Sequence, residues 1–118
     1  MIGIDFPEEI KKEMEKKGGW ERIKKDVLKK DMKRAEEAIK AIANKRRLRI
    51  LYALSKQKMC VCMLVDLMGC SYSKCSYHIS KLKEAGLIKA SKIGNFIIYS
   101  LTPLGKRIIK DFEKFKRK

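Results

Sequence analysis

The chain is poor in the residues that most often carry chemistry. In 118 residues it has one histidine, one tryptophan and two prolines, and only 14 acids against 30 lysines and arginines. A lone histidine, His78, is a weak nucleus for a zinc or hydrolytic centre, which draws on several imidazoles and carboxylates. There is no Gly-rich phosphate loop, no pair of carboxylates in an apolar setting and no nucleophile that His78 completes, so no enzyme is expected. No apolar run approaches the ~20 residues of a membrane span. The start, Met1-Ile-Gly-Ile-Asp-Phe-Pro-Glu-Glu, lacks the basic and apolar segments of a signal peptide. A cytoplasmic protein with no membrane partner is therefore expected. The four cysteines, Cys60-x-Cys62-x7-Cys70-x4-Cys75, lack the paired Cys-x-x-Cys knuckles of a common zinc site. In a reducing compartment they are not expected to form a structural disulfide framework.

What the chain does have is positive charge. A formal +16 makes polyanions the natural partners, nucleic acid ahead of an anionic surface. The length fits one core.

Turn chemistry divides the chain. Pro7 and the acids after it open a short helix, Pro7–Lys17, that Gly18-Gly19 ends. A longer helix is expected from Trp20 to Ala43, with Leu28, Met32, Ala35, Ile39 and Ile42 spaced 4-3-4-3 as a heptad seam between subunits. Asn44 can cap Lys45–Ser55. Met59–Met68 reads as a short helix stopped at Gly69, and Ser71 or Ser73 opens another that ends at Gly86. Then the period changes. Leu87–Ile93 and Phe96–Leu101 are rich in β-branched and aromatic residues, with Gly94-Asn95 as a hairpin signal. Thr102-Pro103 restarts a helix with Leu104, Ile108, Phe112 and Phe115 as its stripe, and the basic end Lys114–Lys118 is expected to fray.

Helix, helix, turn, helix and a two-stranded ribbon is the order of a winged helix-turn-helix. The fold expected is mainly α with a β-hairpin wing, dimeric, with extended N-terminal and C-terminal helices. Residues 1–34 would be a helical extension serving dimerisation, and residues 35–118 the DNA-binding domain. A recognition helix presents short polar residues at its N-terminal end, which enters the major groove. Ser73, Lys74, Ser76, Tyr77 and Lys81 fit that role, some of Arg46, Arg47 and Arg49 at the start of Lys45–Ser55 are expected to face the DNA backbone, and Lys92 and Asn95 sit at the wing tip. His78 is expected to pack or hydrogen-bond near that backbone.

Cys60 and Cys62 are soft ligands for a thiophilic ion, with a thiol-oxidation switch at the same pair as the alternative. On a regular helix they would point to nearly opposite faces; on an extended or unwound turn they can converge. Either chemistry would bias the helix beside the recognition helix. Cys70 and Cys75 occupy apolar positions of the turn motif and read as buried small side chains.

Three stretches, Ile42–Leu51, Met59–Leu64 and Cys70–Ile88 with the Gly94-Asn95 wing, make the chain resemble the ArsR/SmtB family of winged-helix repressors over roughly residues 35–110. The resemblance implies a homodimer on double-stranded DNA that binds an imperfect palindrome and lets go when a ligand binds. No cofactor is required; arsenic(III) or another thiophilic metal ion is the implied inducer. Met59-Cys-Val-Cys-Met-Leu64 is similar to the family's arsenic-sensing motif Glu-Leu-Cys-Val-Cys-Asp-Leu-Cys, with Cys60 and Cys62 on its first two thiols and Val65 where the third would stand. The family's other site needs Asp and His on the C-terminal helix, and Leu104–Lys118 offers Asp111 and Glu113 without a histidine. A regulator with purely structural cysteines and a general basic chromatin-type protein are the competing expectations.

Overall fold

The computed structural model describes residues 5–115. Two compact units follow one another, the first ending at Met32 and the second starting at Lys33.

The first unit holds α1 (Glu8–Lys16) and α2 (Trp20–Lys29). Gly18 and Gly19 take φ of 98° and 91°, a region that suits glycine, and close α1 with bonds from Gly18 N to Glu15 O and from Gly19 N to Met14 O. Neither helix buries a residue completely, and Val27 and Leu28 stay exposed.

The single helix expected over Trp20–Ala43 is two. α2 stops at Lys29, Lys30 turns to an extended ψ of 125°, and α3 (Lys33–Ile42) begins after Met32. The local reason is a run of like charges, Lys29, Lys30, Lys33 and Arg34, around Asp31, a residue of low helix propensity. The heptad seam is therefore not one continuous stripe. Leu28, Met32 and Ile39 are exposed and only Ile42 reaches the core.

The second unit adds α4 (Lys45–Lys56), β1 (Met59–Cys60), α5 (Val61–Met68), α6 (Tyr72–Glu84), β2 (Ile88–Ile93), β3 (Phe96–Leu101) and α7 (Pro103–Phe112). Its ends are written in the sequence. Asn44 Oδ1 accepts from Arg47 N at 3.1 Å, Ser71 Oγ accepts from Lys74 N at 3.2 Å, and Thr102 Oγ1 accepts from Gly105 N at 3.1 Å. Gly69 ends α5 with φ 63°. Of the two candidates for the α6 cap, Ser71 takes the role.

The core gathers Ile50, Leu51 and Leu54 of α4, Leu64 of α5, Cys75, Ile79 and Leu82 of α6, Leu87, Ile88 and Leu101 of the hairpin, and Ile109 of α7. Gly105 is required by packing: a Cβ there would overlap the Leu87 carbonyl oxygen and lie 3.4 Å from the Leu101 side chain. The stripe of α7 differs from expectation at its end, because Phe115 falls beyond the helix and is 81% exposed while Ile109 takes the buried position. Lys116–Lys118, part of the segment expected to fray, lie outside the described residues.

The sheet has order β1-β3-β2, antiparallel throughout. Met59 and Cys60 are not the start of a helix but a two-residue strand, Met59 opposite Tyr99 and Cys60 opposite Ile98. They cover the free edge of β3, where backbone N–H and C=O groups would otherwise lack partners.

Candidate DNA-binding surface and dithiol site

α6 lies with one face in the core and the other in solvent. Cys75, His78, Ile79 and Leu82 are buried. The spacing i, i+3, i+4, i+7 puts Ser73, Ser76, Tyr77 and Ser80 on the opposite face, of which Ser76 is half-buried and the others exposed. Ser80 belongs with the expected residues and was legible from that spacing. Lys74 is exposed in the first turn. Lys81 leans back, with its Nζ 5.5 Å from the centre of the Tyr77 ring and 3.7 Å from a Glu84 carboxylate oxygen. Lys81 is thus placed beside Tyr77 rather than extended freely. Arg46 is exposed at the start of α4, and Lys92 and Asn95 are exposed at the far end of the hairpin. Only Gly94 of the turn takes positive φ, 60°, the pattern of a two-residue hairpin with glycine first.

His78 is buried against α4, where Arg47 Nη1 lies 3.2 Å from its Nδ1. Arg47 Nε also donates to Ala41 O. An arginine only donates, so Nδ1 must accept and the proton of the neutral ring sits on Nε2. Burial, then the charges of Arg47 and Arg46, hold the imidazole below its ordinary value of 6.5. Arg47 is the residue that reading the sequence could not single out from its neighbours Arg46 and Arg49.

The cysteines form two separate pairs. Cys60, buried, caps α5, and Cys62, exposed, stands in its first turn. Their Cα atoms are 5.5 Å apart and their sulfurs are bonded. The extended backbone of β1 makes this possible: Cys60 sits at φ −81°, ψ 168°, outside the helix that would have turned it away from Cys62. The bridge is the oxidised form that a thiol-oxidation switch at this pair would take. It closes a loop of only three residues, so it is a local feature and a weak staple.

Cys75 is fully buried, and Cys70 is half-buried and packed against the same core. Burial, followed by the charge and hydrogen bond of Cys70, pushes the Cys75 thiol up to about 11. That is the behaviour of a core residue. Among the described residues no three His, Cys, Asp or Glu side chains converge on a metal-sized site. Cys60 and Cys62 can supply two sulfur ligands to a soft ion, and Val65 supplies none.

Position gives the Cys60–Cys62 pair its reach. The backbone of Cys60 pairs with Ile98 of the wing's central strand, and α5, which starts at the next residue, packs on α6. Both elements that would meet DNA are in contact with the segment carrying the two sulfurs.

Comparison with known proteins places this arrangement. The family profile described as bacterial regulatory protein, arsR family, matches residues 44–90. A cadmium resistance transcriptional regulatory protein CadC homolog of Staphylococcus aureus is 33% identical over 81 residues, covering 68% of the chain and 67% of that protein. The arsenical resistance operon repressor of Bacillus subtilis is 37% identical over 71 residues, covering 59% of the chain and 68% of that protein. Among solved structures, the homodimeric winged helix-turn-helix DNA-binding domain of a possible ArsR-family regulator from Mycobacterium bovis superposes with TM-score 0.66 at 26% identity, covering 75% of the chain and 81% of that domain.

Proposed function

The chain belongs to the ArsR family of winged helix-turn-helix transcriptional regulators, and from that premise we propose that it is a homodimeric repressor released from its operator by a thiophilic ion at Cys60 and Cys62. The observation that carries the proposal is the meeting of those two sulfurs at the junction of β1 and α5, next to both the wing and α6. The relatives named for cadmium and arsenical resistance support the class of inducer, a soft metal or metalloid.

The reading assigns each part a task. Ser73, Lys74, Ser76, Tyr77 and Ser80 of α6 meet base edges and phosphates in the major groove. Arg46, Lys92 and Asn95 meet the backbone on either side. Arg47 positions α6 through His78. Two thiolates in one turn would hold a soft ion, arsenic(III) or cadmium for example, which takes its remaining ligands from outside this pair. Holding both sulfurs fixes Cys60 relative to Cys62, and the β1–β3 pairing and the α5–α6 packing pass that constraint to the wing and to α6. A switch needs such a differential contact between two states.

Dimerisation is supported by apolar surface that one protomer leaves open. Leu48 and Tyr52 of α4 and Phe112 of α7, with Phe115 just beyond it, line a groove on the second unit, and Tyr52 and Phe115 are 48% and 81% exposed. Val27 and Leu28 of the first unit are exposed as well. A cytoplasmic location accompanies this reading; among the described residues no helix is long and apolar enough to cross a membrane.

The disulfide favours a second reading of the same pair. Hydrogen peroxide oxidises two thiols to a disulfide and is itself reduced to two waters, which fixes Cys60 against Cys62 without any metal. The C60S/C62S variant tests the assignment. It should bind the operator as the reduced wild type does and ignore arsenite, cadmium and peroxide. Release of DNA from this variant by any of them would refute the role of the pair. A wild-type response to peroxide alone would select the second reading.

A further inference from the structure

The end of the wing carries exposed apolar side chains on both faces. Register sets Ile93 opposite Phe96 and Lys92 opposite Ile97. Opposed residues share a face and successive ones alternate, so Ile93 and Phe96 project on one side of the ribbon and Ile97 on the other. Ile93 and Phe96 are each 61% exposed and Ile97 is 54% exposed. None of them serves the core, which takes Ile88 and Leu101 and, partly buried, Tyr99. A ribbon that stands in water normally keeps a polar face; this one ends in apolar side chains on both sides of a two-residue turn.

The charges around that tip choose its partner. No acid occurs between Glu84 and Asp111; Lys92 stands at the tip, and Lys89, Lys106 and Lys110 line a pocket at the base of the hairpin with Ser100 and Leu101. Lys92 and Asn95 flank the apolar residues directly. The surface is therefore apolar at its point and cationic behind it. A partner must offer an apolar slot between walls of negative charge. The minor groove of duplex DNA is such a slot, about 6 Å wide, lined by sugars and rimmed by phosphates. It also adjoins residues already assigned to DNA, because Lys92 and Asn95 are the chain neighbours of Ile93 and Phe96.

Resting on the DNA-binding role above, we propose that Ile93 and Phe96 form an apolar wedge that enters the minor groove beside each half-site and bends the duplex. Apolar side chains that enter the minor groove unstack a base step and kink the helix toward the major groove. The cost depends on the step, and pyrimidine–purine steps yield most easily. The wedge would thus select flanking sequence that α6 never touches, and in a dimer it would act once at each outer end of the operator.

The test uses the full-length reduced protein and a 60-base-pair duplex from the DNA upstream of its own reading frame, labelled at both ends. Affinity is read by anisotropy and bending by energy transfer between the ends. Wild type should shorten the end-to-end distance, and distamycin, which fills A·T minor grooves, should compete with it. Phe96→Ala and Ile93→Ser should keep the wild-type circular dichroism, bind about tenfold more weakly and leave the duplex straighter. Lys74→Ala should weaken binding while the residual complex stays bent. Wild-type affinity and bend in both tip variants would overturn the wedge and leave the repressor reading standing. Tip variants that lose only self-association would assign the tip to a second copy and also overturn it. A wild-type protein that fails to distinguish its upstream duplex from random duplex would overturn the repressor reading and the wedge together.

Discussion

Acid should loosen the join between α4 and the recognition helix, through one side-chain pair. Arg47 Nη1 lies 3.2 Å from Nδ1 of His78, a contact that exists only while the imidazole is neutral. His78 is held below its ordinary 6.5 by burial and then by Arg47 and Arg46. With the folded value below the unfolded one, the unfolded chain takes up the proton first as pH falls. The contribution to stability is therefore complete above about pH 6.5 and is lost as pH drops through the folded value. A hydrogen bond from a charged donor that is itself half-exposed contributes about 1 kcal/mol. The assay is urea unfolding at pH 8 and pH 5, at fixed protomer concentration because a dimer's stability depends on it. His78→Gln keeps an acceptor for Arg47 and does not titrate, so it should lose less stability than wild type on going from pH 8 to pH 5, by up to about 1 kcal/mol. The double-mutant cycle of Arg47→Ala and His78→Ala should give a coupling of about 1 kcal/mol at pH 8 that shrinks as pH falls through the folded value. Equal losses in wild type and His78→Gln would refute the assignment, because the acid sensitivity would then belong to the carboxylates.

Three other outcomes follow from the same geometry. Gly105→Ala should destabilise the fold by about 1–3 kcal/mol in urea melts, since the new Cβ meets the Leu87 backbone, and overpacking of that kind outweighs the ~1 kcal/mol that alanine gains in a helix. In the reduced native protein iodoacetamide should label exposed Cys62 first and Cys75 only on unfolding, because burial removes its thiolate at neutral pH; fast labelling of Cys75 would contradict its place in the core. Operator affinity should fall with salt at a log–log slope of about −5 to −9 for ~6–10 phosphate contacts, and Lys74→Ala should reduce that slope by about 2 in the dimer.

The fold was legible where side chains decide backbone ends. Asn44, Ser71 and Thr102 cap the helices they were expected to cap, and Gly69, Gly86 and Gly94 turn the chain where a positive φ is needed. The family resemblance rested on the stretches Ile42–Leu51, Met59–Leu64 and Cys70–Ile88 with the Gly94-Asn95 wing, and the comparisons bear it out. What escaped the sequence depended on residues far away in the chain. Met59 and Cys60 look helical next to Val61–Met68, and it is the pairing with Tyr99 and Ile98 that draws them into a strand. Two residues carry no periodicity to announce it. The convergence of Cys60 and Cys62 follows from that strand, so it was legible only as a condition on the backbone. The break after Lys29 escaped because the heptad spacing runs across it, while the clustered lysines that oppose it give no pattern. Gly105 reads as an ordinary small residue until α7 is laid against Leu87. Arg47 could not be told from Arg46 or Arg49 until α6 brought His78 to it.

The central claim is that this regulator reads a specific operator and gives it up when Cys60 and Cys62 are engaged. Fluorescence anisotropy of the reduced protein tests it most directly, on duplex from its own upstream region against random duplex, each titrated with arsenite and with cadmium. The account predicts tight binding to the upstream duplex alone and release by at least one of the two ions near stoichiometric amounts. Selective binding that ignores both ions would contradict the thiophilic inducer, and equal binding to both duplexes would contradict the regulator itself.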